Sequence, residues 1–416
     1  MKILRLCPYY EPEQISSSYL TKDLEEAYVN AGFEIEIYVP TPTRSISKEV
    51  RKQYKKIKYE EKFNGKIKVY RFSMFREGKN PVYRAIRYLL CNTIHYFKGI
   101  HAKDINLIIA GSTPPTQGMI AAFVKKRLNV PMVYRLSDVF PDSLVNTGLA
   151  KYGSLLWRIG RIIEDFTYKN ADKIVVVSND IKQNIISKGV PLKKIEVVHD
   201  WTDENAIKNI TRDKNTLFDE LHLDRNLFYI TYAGNLGNSQ GVETILGAAD
   251  LLKDKTDIRF IIFGNGLKEN ELKQLASVKQ LNNISFYPLQ PQGRISEVYS
   301  LGDASIVICK YGVGKTGMPS KTWSIMSAGT AVLASFDYNT ELQYIIENYN
   351  TGLFSKADDF SKLADNIFTL YSNRELCKNY GQNGRKYIEE QLTKTKCTKQ
   401  MIDIISSCYK QYGENL

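Results

Sequence analysis

The sequence has few of the residues that form disulfide bonds and metal sites. Its 416 residues include six cysteines, none in a CxxC pair, and four histidines without metal-ligand spacing. In a chain of this length, scattered cysteines indicate reduced thiols and a cytosolic protein, and the histidines support no metal site. No apolar run reaches the roughly 18 to 20 residues that cross a bilayer. The first residues, Met1–Cys7, are too short and too interrupted for a signal peptide and are predicted as a strand.

The charge of the chain is concentrated in its first half. The sequence carries 57 basic and 45 acidic residues, and residues 1–200 hold 33 of the basic against 20 of the acidic ones. Within residues 51–100 there are 14 basic and 3 acidic residues, whereas residues 201–416 are close to neutral. No helix-turn-helix, zinc-finger or RNP-type pattern accompanies this charge, so nucleic acid is a poor fit. The asymmetry predicts two halves with different partners.

Short β-rich runs alternate with amphipathic helical patterns along the chain. This alternation predicts an α/β fold with parallel sheets and right-handed crossovers. The pattern restarts after a polar stretch, residues 201–226, which we interpret as an interdomain linker. We therefore predict two doubly wound domains, 1–205 and 206–395, and a terminal helix, 396–416, that returns to the first domain.

Three loops in the second half carry glycines directly after predicted strands. The first contains Gly234 and Asn235, the second Gly264 and Gly266, and the third spans residues 311–321. Glycines allow backbone amides to approach an anion closely, although a sharp turn can need glycine for its own sake. The first two loops therefore have both a phosphate-binding and a purely structural interpretation.

The third loop gives the stronger indication of anion binding. Lys321 lies in the first turn of a predicted helix, where a cation is unfavourable unless a bound anion compensates it. Ser320 is suited to cap that helix. A Walker A loop is excluded, because its first glycine would have to stand at the position of Cys309.

In the first half, a polar group follows the predicted strand Met132–Leu136. Arg135, Asp138 and Asp142 lie at or just after its end, where open α/β sheets bind ligands. Asp142 with Ser143 is explained as a helix cap, whereas Asp138 has no such structural explanation. Arg135 and Asp138 are therefore the candidate catalytic residues.

Taken together, these segments resemble a known enzyme family. The resemblance rests on the order and spacing of motifs across nearly the whole chain, namely Leu6–Pro12, Asp138–Pro141, Ile174–Ser178, Val197–Trp201, Tyr232–Gly237, Gly264–Gly266, Met318–Lys321 and Ser327–Val332. In these motifs the chain is similar to the retaining nucleotide-sugar glycosyltransferases of the GT-B fold, glycosyltransferase family 4. Among them it most resembles bacterial capsule, exopolysaccharide and O-antigen transferases.

The resemblance implies two Rossmann-like domains, with the donor in the second, the acceptor in the first and catalysis in the cleft between them. The donor would be a nucleotide-diphosphate sugar, expected to be UDP-linked, and the transferred group a hexose. The donor-binding residues would be Gly234, Asn235, Gly264, Gly266, Lys315, Gly317, Met318, Ser320, Lys321 and Glu341. No metal or other cofactor is expected, since helix dipoles and basic side chains neutralise the leaving diphosphate.

The chain departs from the family at several positions. The basic pair of the first donor loop is replaced by Asn235 and Gln240, and the acidic pair by Thr316 and Ser324. Glu341 is then the remaining acidic candidate for contacts with the donor. A GT-B module that binds a nucleotide sugar or supports a partner without transferring sugar stays open as an alternative. A Rossmann oxidoreductase is disfavoured, because no GxGxxG follows the first strand.

The basic segment 51–100 indicates a membrane-bound acceptor. It mixes lysines and arginines with aromatic and aliphatic residues, as do segments that lie on anionic lipid. Because polyprenyl-diphosphate-linked glycans are held in such membranes, we expect a cytoplasmic enzyme, peripheral on the inner face of the cell membrane. The acceptor and membrane residues would be Tyr10, Lys55, Lys56, Lys58, Arg84 and Arg87. The alternative is that Tyr83–Phe97 is an ordinary core-facing helix with a solvated lysine face.

Overall fold

The computed structural model describes residues 1–13, 18–44, 46–78, 80–146 and 148–414. The chain folds into two units. The first consists of Met1–His199 with Cys397–Leu416, and the second of Asp200–Lys396. The division lies between His199 and Asp200, a few residues before the predicted boundary at 205/206, and most of the terminal helix belongs with the first unit.

The first unit is built on a parallel sheet with one antiparallel edge strand. Its strands are β1 (Lys2–Leu6), β2 (Glu34–Pro40), β3 (Tyr59–Lys62), β4 (Ile67–Phe72), β5 (Leu107–Gly111), β6 (Met132–Leu136), β7 (Lys173–Val176) and β8 (Ile195–Val197). Its helices are α1 (Ser18–Asn30), α2 (Lys48–Tyr54), α3 (Pro81–Ile100), α4 (Thr116–Leu128), α5 (Asp142–Asn146), α6 (Leu155–Asn170) and α7 (Asn179–Ser187). The strand order is β3-β4-β2-β1-β5-β6-β7-β8, and only the β3–β4 pair is antiparallel among these described strands.

The second unit contains a parallel sheet in the order β11-β10-β9-β12-β13-β14, whose strands are β9 (Phe228–Asn235), β10 (Ile258–Asn265), β11 (Ile284–Tyr287), β12 (Ala304–Ile308), β13 (Ala331–Phe336) and β14 (Gly352–Lys356). The helices of this part of the chain are α8 (Leu217–Glu220), α9 (Glu243–Leu251), α10 (Glu269–Val278), α11 (Ile295–Leu301), α12 (Lys321–Ser327), α13 (Glu341–Asn348), α14 (Phe360–Ser372), α15 (Arg374–Gln391) and the terminal α16 (Lys394–Glu414). The core of the second unit contains apolar side chains of β9, β10 and β12 packed against those of α9 and α14.

The two sheets confirm the predicted α/β class with two parallel-sheet units. Strands β3, β8 and β14 are additions to the predicted strands. Strand β3 has the sequence YEEK, which lacks the apolar residues that mark a buried strand, because it lies at the edge of the sheet. Within the described ranges, no helix has both the length and the apolar character needed to cross a bilayer.

The interpretation of residues 201–226 as an interdomain linker is wrong. Trp201, Asn215 and Phe218 are completely buried. The amide of Asn215 donates a hydrogen bond to the backbone oxygen of Glu297 at 2.8 Å. The stretch looks like a linker in the sequence because several of its polar side chains are paired inside the fold rather than solvated. It is an integral part of the second unit.

Helix α3 carries its apolar side chains on the outside. Its buried positions include Arg87, Cys91 and His95, which follow one another at intervals of four residues. The large apolar side chains that are 45 to 67% exposed are Val82, Tyr83, Ile86, Leu89, Leu90 and Phe97, here called the apolar α3 face. The core-facing alternative for this helix is therefore wrong.

Helix α6 repeats this inverted arrangement. Its buried residues include Gly160, Glu164 and Thr167. Its exposed apolar residues include Leu155, which is 75% exposed, and Ile162, which is 68% exposed. Helix α4 packs against both α3 and α6, so both inverted helices belong to one helical layer of the first unit.

Candidate functional site

The first two glycine loops meet at the carboxyl ends of neighbouring strands. Strands β9 and β10 run parallel in a register that pairs Gly234 with Gly264. A Cβ atom at Gly264 would lie 2.5 Å from the carbonyl oxygen of Gly234, and one at Gly266 would lie 2.4 Å from that of Leu236. Gly264 and Gly266 are therefore required for the close approach of two backbones. Asn235 is exposed at the end of β9.

Lys321 reaches the same strand ends from the third loop. A Cβ atom at Gly234 would lie 2.6 Å from Nζ of Lys321, and Nζ lies 4.2 Å from the centre of the Tyr232 ring. The Nζ atom is buried and has no hydrogen-bond partner among the described residues. Burial lowers the pKa of Lys321 to about 8. A buried ammonium group without a counter-charge is costly, so this position is suited to receive an anion.

Two aspartates that the sequence analysis did not single out hold the third loop. Asp337 follows β13, is buried, and accepts hydrogen bonds from the backbone N–H groups of Gly312 at 2.9 Å and Gly314 at 2.8 Å. Asp358 accepts one from the N–H of Tyr311 at 3.1 Å. The one signal for Asp337 in the sequence is its position directly after an apolar strand. These bonds fix the backbone of the loop that leads to Lys321.

The other predicted donor residues lie on or beyond this loop. Lys315 is exposed, Gly317 and Met318 are partly buried, and Glu341 begins α13 with a partly exposed side chain. The predicted cap by Ser320 is wrong, since its side chain makes no capping hydrogen bond. The physical reason is that Ser320 already has a helical backbone conformation. Donor contacts by these five residues stay predictions.

The candidate catalytic residues lie at the carboxyl end of β6 in the first unit. A cavity of ≈ 170 Å³ is formed where β1, β5 and β6 end, and Arg135 and Ser137 are among its lining residues. Asp138 follows directly and is exposed. The cavity is also lined by Tyr28 and Gln117, which the sequence analysis missed because both lie inside helices without a distinguishing motif. Its polar lining can accept a hydroxylated ligand.

Tyr10 and Arg87, predicted at the acceptor or membrane surface, lie inside the first unit. Tyr10 is 5% exposed and Arg87 is 0% exposed. The hydroxyl of Tyr10 donates a hydrogen bond to Glu25 at 2.8 Å, and burial raises the pKa of Tyr10. Because the side chains of both residues are covered, the prediction that they face a membrane is wrong.

The remaining residues of the predicted membrane set are accessible. Lys55, Lys56 and Lys58 are exposed, and Lys58 donates a hydrogen bond to Ser73 at 2.9 Å. The side chain of Arg84 is 43% exposed and forms an ion pair with Glu77 at 2.9 Å. One further lysine of the basic segment, at position 79, lies outside the described residues.

Comparisons with known proteins agree with this architecture. The family model for glycosyltransferase family 4 matches residues 18–205, and the model for glycosyl transferases group 1 matches residues 213–387. WcaI, a glycosyl transferase assigned to colanic acid biosynthesis in Escherichia coli (strain K12), is 24% identical over 359 residues. That match covers 84% of this chain and 86% of the relative.

Solved structures share the fold. The sucrose-phosphate synthase from Thermosynechococcus elongatus has a TM-score of 0.78 at 15% identity and covers 99% of both chains. HepE from Anabaena, solved in complex with UDP, has a TM-score of 0.74 at 15% identity, covering 98% of this chain and 100% of that chain. With one family model on each unit and this fold, the chain belongs to the GT-B glycosyltransferases, with a family 4 domain followed by a group 1 domain.

Proposed function

We propose that this chain is a retaining hexosyltransferase that moves a sugar from a UDP-linked donor to a lipid-linked glycan in bacterial surface polysaccharide synthesis. The observation that carries the proposal is the buried ammonium group of Lys321, which lies beside Gly234 without a partner in the described part of the chain. A diphosphate supplies the missing negative charge at this position. Because residues 234 and 264 are glycines, no side chain of theirs covers the backbone atoms beside the ammonium group of Lys321.

The identity of the donor and of the pathway is supported by the relatives. HepE, which shares the fold, was solved with UDP, and this favours a uridine nucleotide here. WcaI is assigned to colanic acid biosynthesis, which favours a surface polysaccharide as the product. The proposed place of action is the cytoplasmic face of the cell membrane.

In the proposed reaction, the bond between the anomeric carbon of the sugar and the diphosphate oxygen breaks, and its electron pair leaves with the diphosphate. An acceptor hydroxyl bonds to that carbon on the same face, and its proton passes to the leaving diphosphate. Lys321 stabilises the charge that develops on the leaving group, because a fixed cation in a water-poor site needs little reorganisation. Arg135 and Asp138 act on the acceptor, and the step requires no metal.

The apolar α3 face supports the membrane part of the proposal. Large apolar side chains exposed along an amphipathic helix are typical of proteins that insert into the headgroup layer of a bilayer. The exposed side chains of Lys55 and Lys56 belong to the same unit and attract anionic lipid. Helix α6, in the same helical layer, also exposes apolar residues.

A transfer assay tests the reaction. Purified protein is incubated with UDP-hexoses and a prenyl-diphosphate-linked sugar, and UDP release and product formation are measured. We expect Lys321→Met to lower kcat/KM about a hundredfold or more, because it removes the cation for the leaving group. Lys378→Met, which alters an exposed lysine on α15, serves as the matched control and should leave kcat/KM unchanged.

Two outcomes contradict the proposal. If Lys321→Met retains full donor affinity and turnover, the donor site is assigned to the wrong residue. If the protein binds nucleotide sugars but transfers none to any acceptor, the binding module without catalysis is the correct interpretation.

A vesicle assay tests the membrane surface. Leu89 is 67% exposed on α3, and Leu267 is 92% exposed in the second unit. We expect Leu89→Glu to reduce cosedimentation with phosphatidylglycerol vesicles severalfold, because a carboxylate replaces an inserted apolar group next to anionic lipid. Leu267→Glu should bind like the unaltered protein. Equal binding by both variants would remove the apolar α3 face from the proposal.

A further inference from the structure

Three arginines share one carboxylate in the first unit. Glu77 accepts hydrogen bonds from Nε and Nη2 of Arg44 at 3.1 and 2.9 Å, and from the hydroxyl of Tyr9 at 2.8 Å. It also pairs with Nε of Arg84 at 2.9 Å, and Nη1 of Arg87 lies 3.8 Å away. We call Arg44, Glu77, Arg84 and Arg87 the arginine cluster. Three positive charges against one negative leave it strongly cationic.

Arg87 is the member that lacks hydrogen bonds. Its side chain is 0% exposed, and its Nε, Nη1 and Nη2 atoms are all buried with no hydrogen-bond partner among the residues that the structure describes. A guanidinium group carries five N–H donors, and buried donors left unpaired are destabilising. Water would pair with some of these donors but would leave the net charge unbalanced. A bound anion satisfies both requirements.

The surroundings raise the positive potential of the cluster further. Arg51 is buried nearby, and burial together with Arg87 and Arg76 lowers the pKa of Arg51. Arg84 and Arg87 lie in the first two turns of α3, whose first turn contains no acidic residue. Cations at a helix N-terminus oppose the helix dipole, whereas an anion there is stabilised by it. These arginines therefore lie where a bound anion is stabilised by both the side chains and the helix dipole.

The cluster is accessible and adjoins a cavity. The side chains of Arg44 and Arg84 are 32 and 43% exposed, so the cluster opens to solvent on their side. Tyr9, which donates to Glu77, also lines the cavity that Arg135 lines. The same unit contains a groove of ≈ 520 Å³ that Phe75 and Leu90 help to line. Leu90 also belongs to the apolar α3 face.

We propose that Arg44, Arg84 and Arg87 bind the phosphate or diphosphate group of the acceptor substrate. The anion itself follows from the arginine cluster, whereas calling its carrier an acceptor rests on the proposed function. Guanidinium groups are suited to this ligand, because their planar N–H pairs match two phosphate oxygens at once. The adjoining cavity lies where the rest of the acceptor would meet Arg135.

Binding of inorganic pyrophosphate to the full chain tests the site. All proteins carry Lys321→Met, so that the proposed donor site does not contribute. We expect Arg44→Gln combined with Arg84→Gln to weaken pyrophosphate binding about tenfold or more, the loss typical of charged hydrogen bonds. The control pair, Lys126→Gln with Arg127→Gln, removes two exposed cations from α4 of the same unit and should leave binding unchanged.

A third variant tests the buried member. Arg87→Lys keeps a positive charge but loses the planar N–H pairs, so we expect weaker pyrophosphate binding with an unchanged unfolding temperature in the absence of ligand. Unfolding temperatures without ligand confirm that all variants fold. No pyrophosphate binding by the parent protein overturns the site, and so does an equal loss in the cluster pair and the control pair.

Vesicles distinguish the two sources of the anion. Phosphatidylcholine vesicles are prepared with and without a long-chain prenyl diphosphate, and recruitment of the protein is measured. Recruitment by the prenyl diphosphate that is lost in the cluster pair identifies a lipid-linked acceptor. Pyrophosphate binding without such recruitment identifies a soluble phosphorylated acceptor, and both results support the site. If the protein binds pyrophosphate at the arginine cluster but transfers no sugar, the anion site is supported and only the proposed function is contradicted.

Discussion

Both units bury cations near the carboxyl ends of their strands, but they balance the charge differently. In the second unit, Nζ of Lys321 has no hydrogen-bond partner within the described ranges, and burial lowers the pKa of Lys321 to about 8. In the first unit, the largely buried Arg5 pairs with Glu25 at 2.5 Å. The buried Arg87 lies 3.8 Å from Glu77, which also pairs with the partly exposed Arg44 and Arg84. One site therefore depends on a ligand for its counter-charge, and the other carries part of that charge itself.

This difference has opposite consequences for the ligand-free protein. An uncompensated buried cation destabilises the empty fold, and the same cost is recovered when an anion binds. A cation that is paired with a carboxylate stabilises the empty fold and has less to gain from a ligand. Burial alone would raise the pKa of Glu77, but hydrogen bonds from Arg44 and Tyr9 outweigh burial and lower it. The pairing in the first unit is thus already favourable without ligand.

The largest stability effect is expected from removing the shared carboxylate. Glu77→Gln leaves Arg44, Arg84 and Arg87 without their counter-charge, and we expect the free energy of unfolding to fall by about 3 kcal/mol. Urea denaturation measures the change, and added phosphate should restore part of it. Asp219→Asn is the control, since Asp219 also pairs with an arginine, Arg225, but is 72% exposed. The control should change stability far less, because an ion pair in solvent contributes little to stability. Equal losses of stability in the two variants would mean that Glu77 does not act as the counter-charge of the three arginines.

The opposite sign is expected in the second unit. Lys321→Met keeps the length of the side chain and removes the buried ammonium group, so we expect the ligand-free protein to become more stable by about 3 kcal/mol at pH 7. The pKa of the folded state lies below that of an unfolded lysine, so the cost of the charge is fully present below about pH 8. The advantage of the variant should disappear as the pH rises towards 10.5. A loss of stability at pH 7 would show that Lys321 is compensated in the empty protein.

A smaller effect should follow from displacing the lysine instead of deleting it. A Cβ atom at Gly234 would lie 2.6 Å from Nζ of Lys321, so Gly234→Ala must move the ammonium group. We expect UDP-sugar affinity to fall about thirtyfold, or about 2 kcal/mol, the worth of a charged hydrogen bond. Gly293→Ala in the same unit introduces a Cβ atom with nothing within 4 Å and is the matched control. Unchanged affinity in Gly234→Ala would separate this glycine from the donor site.

The contrast between the units also shows what the sequence could predict. The site in the second unit could be predicted from the sequence, because Gly234 and Gly264 directly follow strands and Lys321 stands at the start of a helix. Each of these is a local pattern. The arginine cluster could be predicted only in part, because the basic segment indicated Arg84 and Arg87 as acceptor residues, whereas Arg44 and Glu77 carry no local signal. The sequence also does not show that Arg87, Cys91 and His95 form the buried side of α3. Which side of an amphipathic helix faces the sheet is decided by its tertiary partners.

The parallel sheets were predictable for a similar reason, and the segment before β9 was not. Strand and helix periodicity is a property of short segments, and it locates most strands of both sheets to within a few residues. Asn215 is polar, yet it is buried by a hydrogen bond to a backbone oxygen far away in the sequence. Contacts of this kind leave no periodic pattern. The same holds for Asp337, whose hydrogen bonds to Gly312 and Gly314 shape the third loop.

The smallest predicted effect is a pH dependence confined to the second unit. The empty protein loses the proton of Lys321 as the pH rises through about 8, whereas a bound diphosphate keeps Lys321 protonated. At pH 9, Lys321 must therefore take up a proton when the donor binds, and the donor affinity should be about tenfold lower than at pH 7. Calorimetry in buffers of different ionisation enthalpy should show proton uptake on binding at pH 9.

The matched control for this pH dependence is Lys321→Met, whose weaker donor affinity should be the same at both pH values. Pyrophosphate binding by the arginine cluster provides the second comparison, because a guanidinium group stays protonated throughout this range. Binding at the cluster should therefore not fall between pH 7 and pH 9 when it is measured in the Lys321→Met background. A parallel fall at both sites would trace the effect to the ligand and not to Lys321, and the proposed difference between the two units would then be lost.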